Sequence, residues 1–162
     1  MILTHFRRFA DYNKWANTRL YDTCVQLSDD VYFALRQAFF GSIHGVLNHM
    51  LVADTIWTLR LAGTSPVLAL NAQMYAERTA LRQARATMDD DIIALLAAMS
   101  DADMAGDVTY KTTDGDPFTM ARSVILQHFF NHQTHHRGQA HDLLSQTGVA
   151  PLVLDLLYFV RE

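Results

Sequence analysis

The sequence is poor in residues that cross-link or interrupt a chain. A single cysteine, Cys24, excludes an intramolecular disulfide. It lies in the helical run Arg19-Leu20-Tyr21-Asp22-Thr23-Cys24-Val25 and reads as a small buried apolar side chain. Three prolines and seven glycines in 162 residues leave room for long regular elements. No block of five or more Lys or Arg occurs and the formal net charge is -4, so nucleic acid is not an expected partner. No apolar stretch approaches the ~20 residues that span a bilayer. The start, Met1-Ile2-Leu3-Thr4-His5-Phe6-Arg7-Arg8, lacks an apolar signal core. The expectation is a cytoplasmic protein with no membrane partner. Phosphate loops, nucleotide fingerprints and nucleophile–base motifs are also missing.

Half the residues are hydrophobic, which supplies a sizeable core for one domain over residues 1–162. Phe6, Phe9, Trp15, Leu20 and Val25 recur at helical spacing and predict a first helix from about Thr4 to Leu27. Ser28-Asp29-Asp30 stops it, and Val31 to Phe40 is ambiguous. Ser42 caps a second helix running to about Leu61, apolar on most sides and therefore mostly buried. A third helix is predicted from Met74 to Met99, with Glu77, Arg78, Arg82 and Asp89 on its outer face. Asp114-Gly115 between two β-prone runs predicts a small hairpin. A fourth helix follows from Met120 to Gln146, with Gly148 as its C-cap and Pro151 beyond it. Leu152 to Val160 is a short apolar segment. The fold class is all-α, a four-helix bundle with a small hairpin before the fourth helix and a short extra C-terminal segment.

What the sequence has in excess is histidine, placed unevenly. Of eight histidines, His128, His132, His135 and His136 fall within nine residues. His132 and His136 are one turn apart on one helix face, so two imidazoles there can share an ion. On a wheel of ~100° per residue, His136 lies roughly 40° and His132 roughly 80° from the middle of the stripe Ile125, Phe129, Ala140, Leu143 and Leu144. His128 and His135 lie farther off, at roughly 120° and 140°. The 132/136 pair is therefore aimed best at the interior. His135 is expected at the surface, while His128 fits equally a supporting role or an exposed one. The second helix offers His44 and His49, ~140° apart, so both cannot face one ion. Its all-round apolarity leaves that choice open, with Asp54 as a further oxygen ligand. Spacing alone also permits histidines that are simply hydrogen-bonded in the core.

The segment Asn131-His132-Gln133-Thr134-His135-His136-Arg137-Gly138-Gln139 resembles the signature of the DinB/YfiT-like family, a helical-bundle family read as metalloenzymes. Ser42-Ile43-His44-Gly45-Val46-Leu47-Asn48-His49, followed by Ala53-Asp54-Thr55-Ile56-Trp57, resembles that family's first histidine motif. Tyr12-Asn13-Lys14-Trp15-Ala16-Asn17 and the closing Leu154-Asp155-Leu156 with Phe159-Val160-Arg161-Glu162 are similar too, so the resemblance covers essentially the whole chain. It implies a four-helix bundle with a longer crossover and a metal site formed by His49, His132 and His136. It thereby selects His49 over His44. Asp54 departs from the glutamate common near that position. Arg137, ~100° round the helix from a ligand, is expected to pair with another element, as an interhelix salt bridge or cap. The resemblance also implies a homodimer.

Three imidazoles leave a zinc ion one open position for water or substrate. Zinc or nickel leads among divalent ions, and iron, manganese or cobalt suit the same donors. By resemblance to thiol-dependent S-transferases and a thiol-dependent maleylpyruvate isomerase, the expected chemistry is activation of a low-molecular-weight thiol toward a small-molecule electrophile. Metal-assisted hydrolysis is the enzymatic alternative. A non-enzymatic, stress-associated metal-binding module is the other, and it predicts a fourth protein ligand from His128 or Asp54.

Overall fold

Apolar residues at helical spacing and few breakers produce long helices in the computed structural model, which describes residues 2–162. The elements in order are α1 (Ile2–Cys24), α2 (Asp29–Tyr32), α3 (Ile43–Leu61), α4 (Arg78–Ala98), a 3₁₀ turn (Asp103–Ala105), β1 (Asp107–Lys111), β2 (Pro117–Ala121), α5 (Arg122–Ser145) and α6 (Leu156–Arg161). α1 packs on α4 and α5, and α3 packs on the same two helices. The four long helices thus form a square bundle with α1 and α3 on one diagonal. β1 and β2 pair antiparallel, Asp107 opposite Ala121 through Lys111 opposite Pro117. Gly115, at φ 92°, supplies the left-handed residue of their turn.

The core falls into two apolar halves with a polar layer between them. One half holds Leu20 and Cys24 of α1, Leu47 of α3, Leu81 of α4 and Leu144 of α5. The other holds Phe6 and Ala10 of α1, Leu61 of α3, Ile92 of α4 and Ile125 and Phe129 of α5. Residue order along each helix then fixes direction: α1 and α5 run one way, α3 and α4 the other. Parallel neighbours α3 and α4 require the connection 62–77 to return along the bundle, and this is the long crossover. Cys24 sits fully buried, and burial pushes its thiol up to about 12.

Several boundaries differ from the sequence expectation for identifiable reasons. α4 begins at Arg78 rather than Met74. Tyr75 is instead held extended by Asn48, whose Oδ1 accepts from the Tyr75 amide at 3.1 Å and whose Nδ2 donates to the Tyr75 carbonyl at 3.2 Å. Met120 and Ala121 pair in β2, so α5 begins at Arg122. α5 ends at Ser145 with Gln146 as the C-cap, and Gly148 takes its positive φ two residues later. Residues 33–42 are irregular after the single turn of α2. α6 buries none of its residues. Ser42 caps α3 as expected, its hydroxyl accepting from the Gly45 amide at 3.0 Å.

Asp89, which the sequence pattern places on the outer face of α4, is instead buried at 2% exposure. Arg85, one turn earlier, holds it at 2.8 Å and donates to Asp54 of α3 at 2.6 Å. Asn17 of α1 donates to Asp89 at 3.0 Å and accepts from Arg137 of α5 at 3.2 Å. Arg137 also donates to Asn13 at 2.6 Å and lies over the Tyr12 ring. One buried network therefore ties all four long helices together at mid-bundle. Removing any one partner from this layer would leave a buried charge uncompensated.

Candidate metal centre

The site is built where α3 faces α5, at the level of that polar layer. His49 comes from α3, His132 and His136 from α5. Imidazole donor atoms from the three lie within 4.8 Å of one another. Their ring centroids are 4.2 Å apart for His132 and His136, 4.4 Å for His49 and His136, and 5.3 Å for His49 and His132. His49 and His136 are buried and His132 is partly exposed.

The hydrogen bonds of the rings set where their protons lie. His49 Nδ1 donates to the Leu70 carbonyl at 2.7 Å, which fixes its proton there because a carbonyl only accepts. His136 Nδ1 donates to Gln139 Oε1 at 2.8 Å. Both Nε2 atoms of the neutral rings are then lone-pair donors, and they face each other at 3.3 Å. With the Gln139 amide oxygen on His136 Nδ1, no proton lies between the two Nε2 atoms and their facing lone pairs repel. A cation between them removes the repulsion. Two nitrogens each ~2.05 Å from a tetrahedral ion are ~3.3 Å apart, which matches the observed separation. Donation of the remote N–H to a carbonyl is also how protein metal sites orient their histidines.

The electrostatics agree. Burial, reinforced by the neighbouring imidazoles His136, His49, His128 and His135, pushes His132 down to about 3. Burial is again the main cause for His136, brought down to about 4, and it also lowers His49. All three are neutral near pH 7, the state that binds a metal.

Phe40, in the loop before α3, stacks on His49 with ring centroids 3.9 Å apart and planes 19° apart. Its position depends on Gly45: a Cβ there would meet the Phe40 carbonyl oxygen at 2.1 Å. On the other side of the cluster, a cavity of about 290 Å³ is lined by His49, His132, His128, Trp57, Arg60 and the hairpin residues Tyr110, Thr112 and Thr113.

The remaining sequence candidates separate cleanly. His44 is buried between Tyr32 (Nδ1 to hydroxyl, 3.1 Å) and Asn48 (Nε2 to Nδ2, 3.0 Å), away from the cluster. His135 is exposed, accepting from Gln139 at 3.2 Å. His128 stands in the cavity wall, its ring 5.7 Å from His132 and 5.1 Å from Trp57, but outside the ligand group. Asp54 is occupied by Arg85; burial pushes its carboxyl up to about 6 against the pull of Arg85 and Gln133. Among the described residues no fourth histidine, cysteine or carboxylate joins the three. Arg137 pairs with α1, as expected of it, although its partners are amides and a ring rather than a carboxylate. Arg60 and Gln139 are the neighbours that sequence reasoning left without a role.

A family model for the DinB family matches residues 1–162. The chain belongs to the DinB family. Protein DinB of Bacillus subtilis (strain 168) is 28% identical over 155 residues, spanning 91% of this chain and 89% of that protein. Among solved structures, a DinB-like protein from Bacillus cereus ATCC 10987 superposes with a TM-score of 0.68 at 19% identity, covering 88% of this chain and 91% of its own. A DinB-like protein from Bacillus subtilis gives 0.63 at 18% identity, covering 94% and 95%. These two likenesses show a shared fold. The early segment and the second histidine segment, separate in the DinB-like sequence, meet in space through Arg137, Asn13 and Asn17. Among the described residues no helix is long and apolar enough to cross a membrane.

Proposed function

We propose that this DinB-family protein is a metal-dependent enzyme in which His49, His132 and His136 hold one divalent ion and a low-molecular-weight thiol is transferred to an electrophile. The observation that carries the reading is the pair of unprotonated Nε2 atoms 3.3 Å apart beside a third neutral imidazole, on the wall of a cavity. Zinc or nickel suits this donor set best, with iron, manganese and cobalt also accommodated. An ion held there supplies Lewis acidity that makes a thiol ionise near neutral pH.

The chain's own residues do the rest. Leu70 and Gln139 fix the tautomers of His49 and His136. Phe40 covers one face of His49, while Ala53, Ile56 and Trp57 give the cavity an apolar wall that limits water. His128 lines the cavity with its ring 5.7 Å from that of His132, a position from which a ring nitrogen can accept the thiol proton. The sulfur lone pair forms the new S–C bond, the leaving group departs with its electron pair, and the proton passes from His128 to solvent. A homodimer in the cytoplasm completes this reading.

Purified protein reconstituted with zinc or nickel is expected to accelerate conjugation of cysteine or glutathione to 1-chloro-2,4-dinitrobenzene, and chelation is expected to abolish the acceleration. A rate unaffected by chelation removes the proposal. The same open position and cavity also admit water, so hydrolysis of an activated ester without added thiol is the competing outcome. A purely structural ion is disfavoured by the three-ligand set, because structural zinc sites are closed by four protein ligands.

A further inference from the structure

Arg60 lies on α3 eleven residues beyond His49, three turns along the same face as Ala53, Ile56 and Trp57. It lines the cavity beside the histidines yet is only 5% exposed. Its guanidinium is layered between two rings, with Cζ 4.7 Å from the Trp57 centroid and 4.6 Å from that of Tyr110. Nη2 donates to the Lys111 carbonyl at 2.9 Å. Nε is buried with no acceptor, and Nη1 has none among the described residues.

No carboxylate among the described residues pairs with Arg60. The other deeply buried arginines are treated differently: Arg85 has Asp54 and Asp89, and Arg137 has two amide oxygens joined to Asp89 through Asn17. Arg60 has one carbonyl and the partial negative charge of the α3 C-terminus, neither of them a full counter-charge. A buried guanidinium without an anion is unfavourable, yet it stays protonated. The aromatic layers hold its fork in one plane with N–H groups left over, which is how a planar oxyanion is received. Among the described residues lining the cavity Arg60 is the one charged at neutral pH by its own side chain, and its fork matches a single carboxylate.

We propose that Arg60 is the anion-binding residue of this cavity, and that the substrate is a small organic acid whose carboxylate docks on the Arg60 fork while its reactive end faces His49 and His132. The inference rests on the cavity being the reaction site. Tyr110, Thr112 and Thr113, which line the same cavity, carry hydroxyls able to bond the same carboxylate.

The test is a two-dimensional NMR titration that follows the Arg60 Nε–H signal. The probes are propionate, succinate and benzoate, each beside its primary amide, on zinc-loaded and metal-stripped protein. Saturable movement of that signal by carboxylates, at least about tenfold stronger than by amides, is expected in both forms. In the variants, which lack that signal, binding is read from the backbone amide signals of the cavity residues Tyr110, Thr112 and Thr113; Arg60→Met is expected to bring acids and amides to within about twofold, and Arg60→Lys to keep a weakened preference, since it retains charge without the fork. Should Arg60→Met fail to fold, the Arg60→Lys comparison decides. An Nε–H signal indifferent to carboxylates, or acid preference unchanged in either variant, overturns the proposal. Acid binding confined to the zinc-loaded form and unaltered by Arg60→Met overturns it while leaving the metal reading intact. Acid binding at Arg60 in a protein that takes up no metal supports it and removes the metal-dependent function.

Discussion

Replacing Asp54 by alanine tests both the core and the ligand assignment. Asp54 and Asp89 face Arg85, and Asn17 links Asp89 to Arg137, so two carboxylates balance two guanidiniums inside the bundle. Asp54→Ala leaves one buried positive charge uncompensated. Breaking such a pair from one side costs about 3–5 kcal/mol. For a chain of this length, that corresponds to a fall in Tm of about 6–20 °C, at roughly 2–4 °C per kcal/mol. Removing both partners, as Asp54→Ala with Arg85→Met, leaves Asp89 balanced by Arg137 through Asn17. The double variant is therefore expected to recover most of the loss, giving a coupling of several kcal/mol in a double-mutant cycle. Urea unfolding followed by far-UV circular dichroism measures each corner of the cycle. Folded Asp54→Ala should still bind its metal, because the carboxylate is 2.6 Å from Arg85 and outside the histidine group. A loss under ~1 kcal/mol, or strict additivity in the cycle, refutes the network. Loss of the ion from folded Asp54→Ala refutes the ligand set.

Three further outcomes follow from the site. Gly45→Ala places a methyl group 2.1 Å from the Phe40 carbonyl oxygen, so it should cost roughly 1–3 kcal/mol and weaken zinc binding by dislodging the ring on His49; calorimetric melting and zinc titration check both, and an unaltered protein contradicts the packing. Gln139→Ala should weaken zinc binding about 10–100-fold with little change in Tm, measured by competition with a chromophoric chelator. Metal-free protein should lose stability as pH falls from about 6.5 toward 4, because the unfolded chain takes up protons on His132 and His136 that the folded chain refuses until about 3 and 4. The slope is up to ~1.4 kcal/mol per pH unit for His136 and less for His132, which solvent partly reaches. A urea midpoint that is flat between pH 7 and 5 contradicts it.

Most of the fold is legible in the sequence because its signals are local. Ser42 announces α3, Asp114-Gly115 announces the hairpin, and the apolar stripe of α5 alone separates His132 and His136 from His128 and His135. What periodicity misses depends on partners far away in the chain. Met74 and Tyr75 look helical until Asn48 claims the Tyr75 backbone. Asp89 looks like a surface residue until Arg85 is placed beside it, although Arg85 already lies in the stripe Leu81, Ile92 and Leu96. The choice of His49 over His44 came from family likeness; a helix buried on nearly all sides carries no wheel signal. Structure supplies the physical reason, since Leu70 on the crossover orients His49 while Tyr32 and Asn48 engage His44. Arg60 gave no signal because its isolation from carboxylates is visible only in three dimensions.

The central claim is that His49, His132 and His136 together hold one divalent ion. Its most direct test is elemental analysis of protein purified without a histidine tag and reconstituted with zinc, beside His132→Ala and His136→Ala. The account predicts about one ion per wild-type chain and loss of most of it in either variant, both remaining helical. A wild-type chain that retains no ion, or a variant with unaltered stoichiometry, contradicts it.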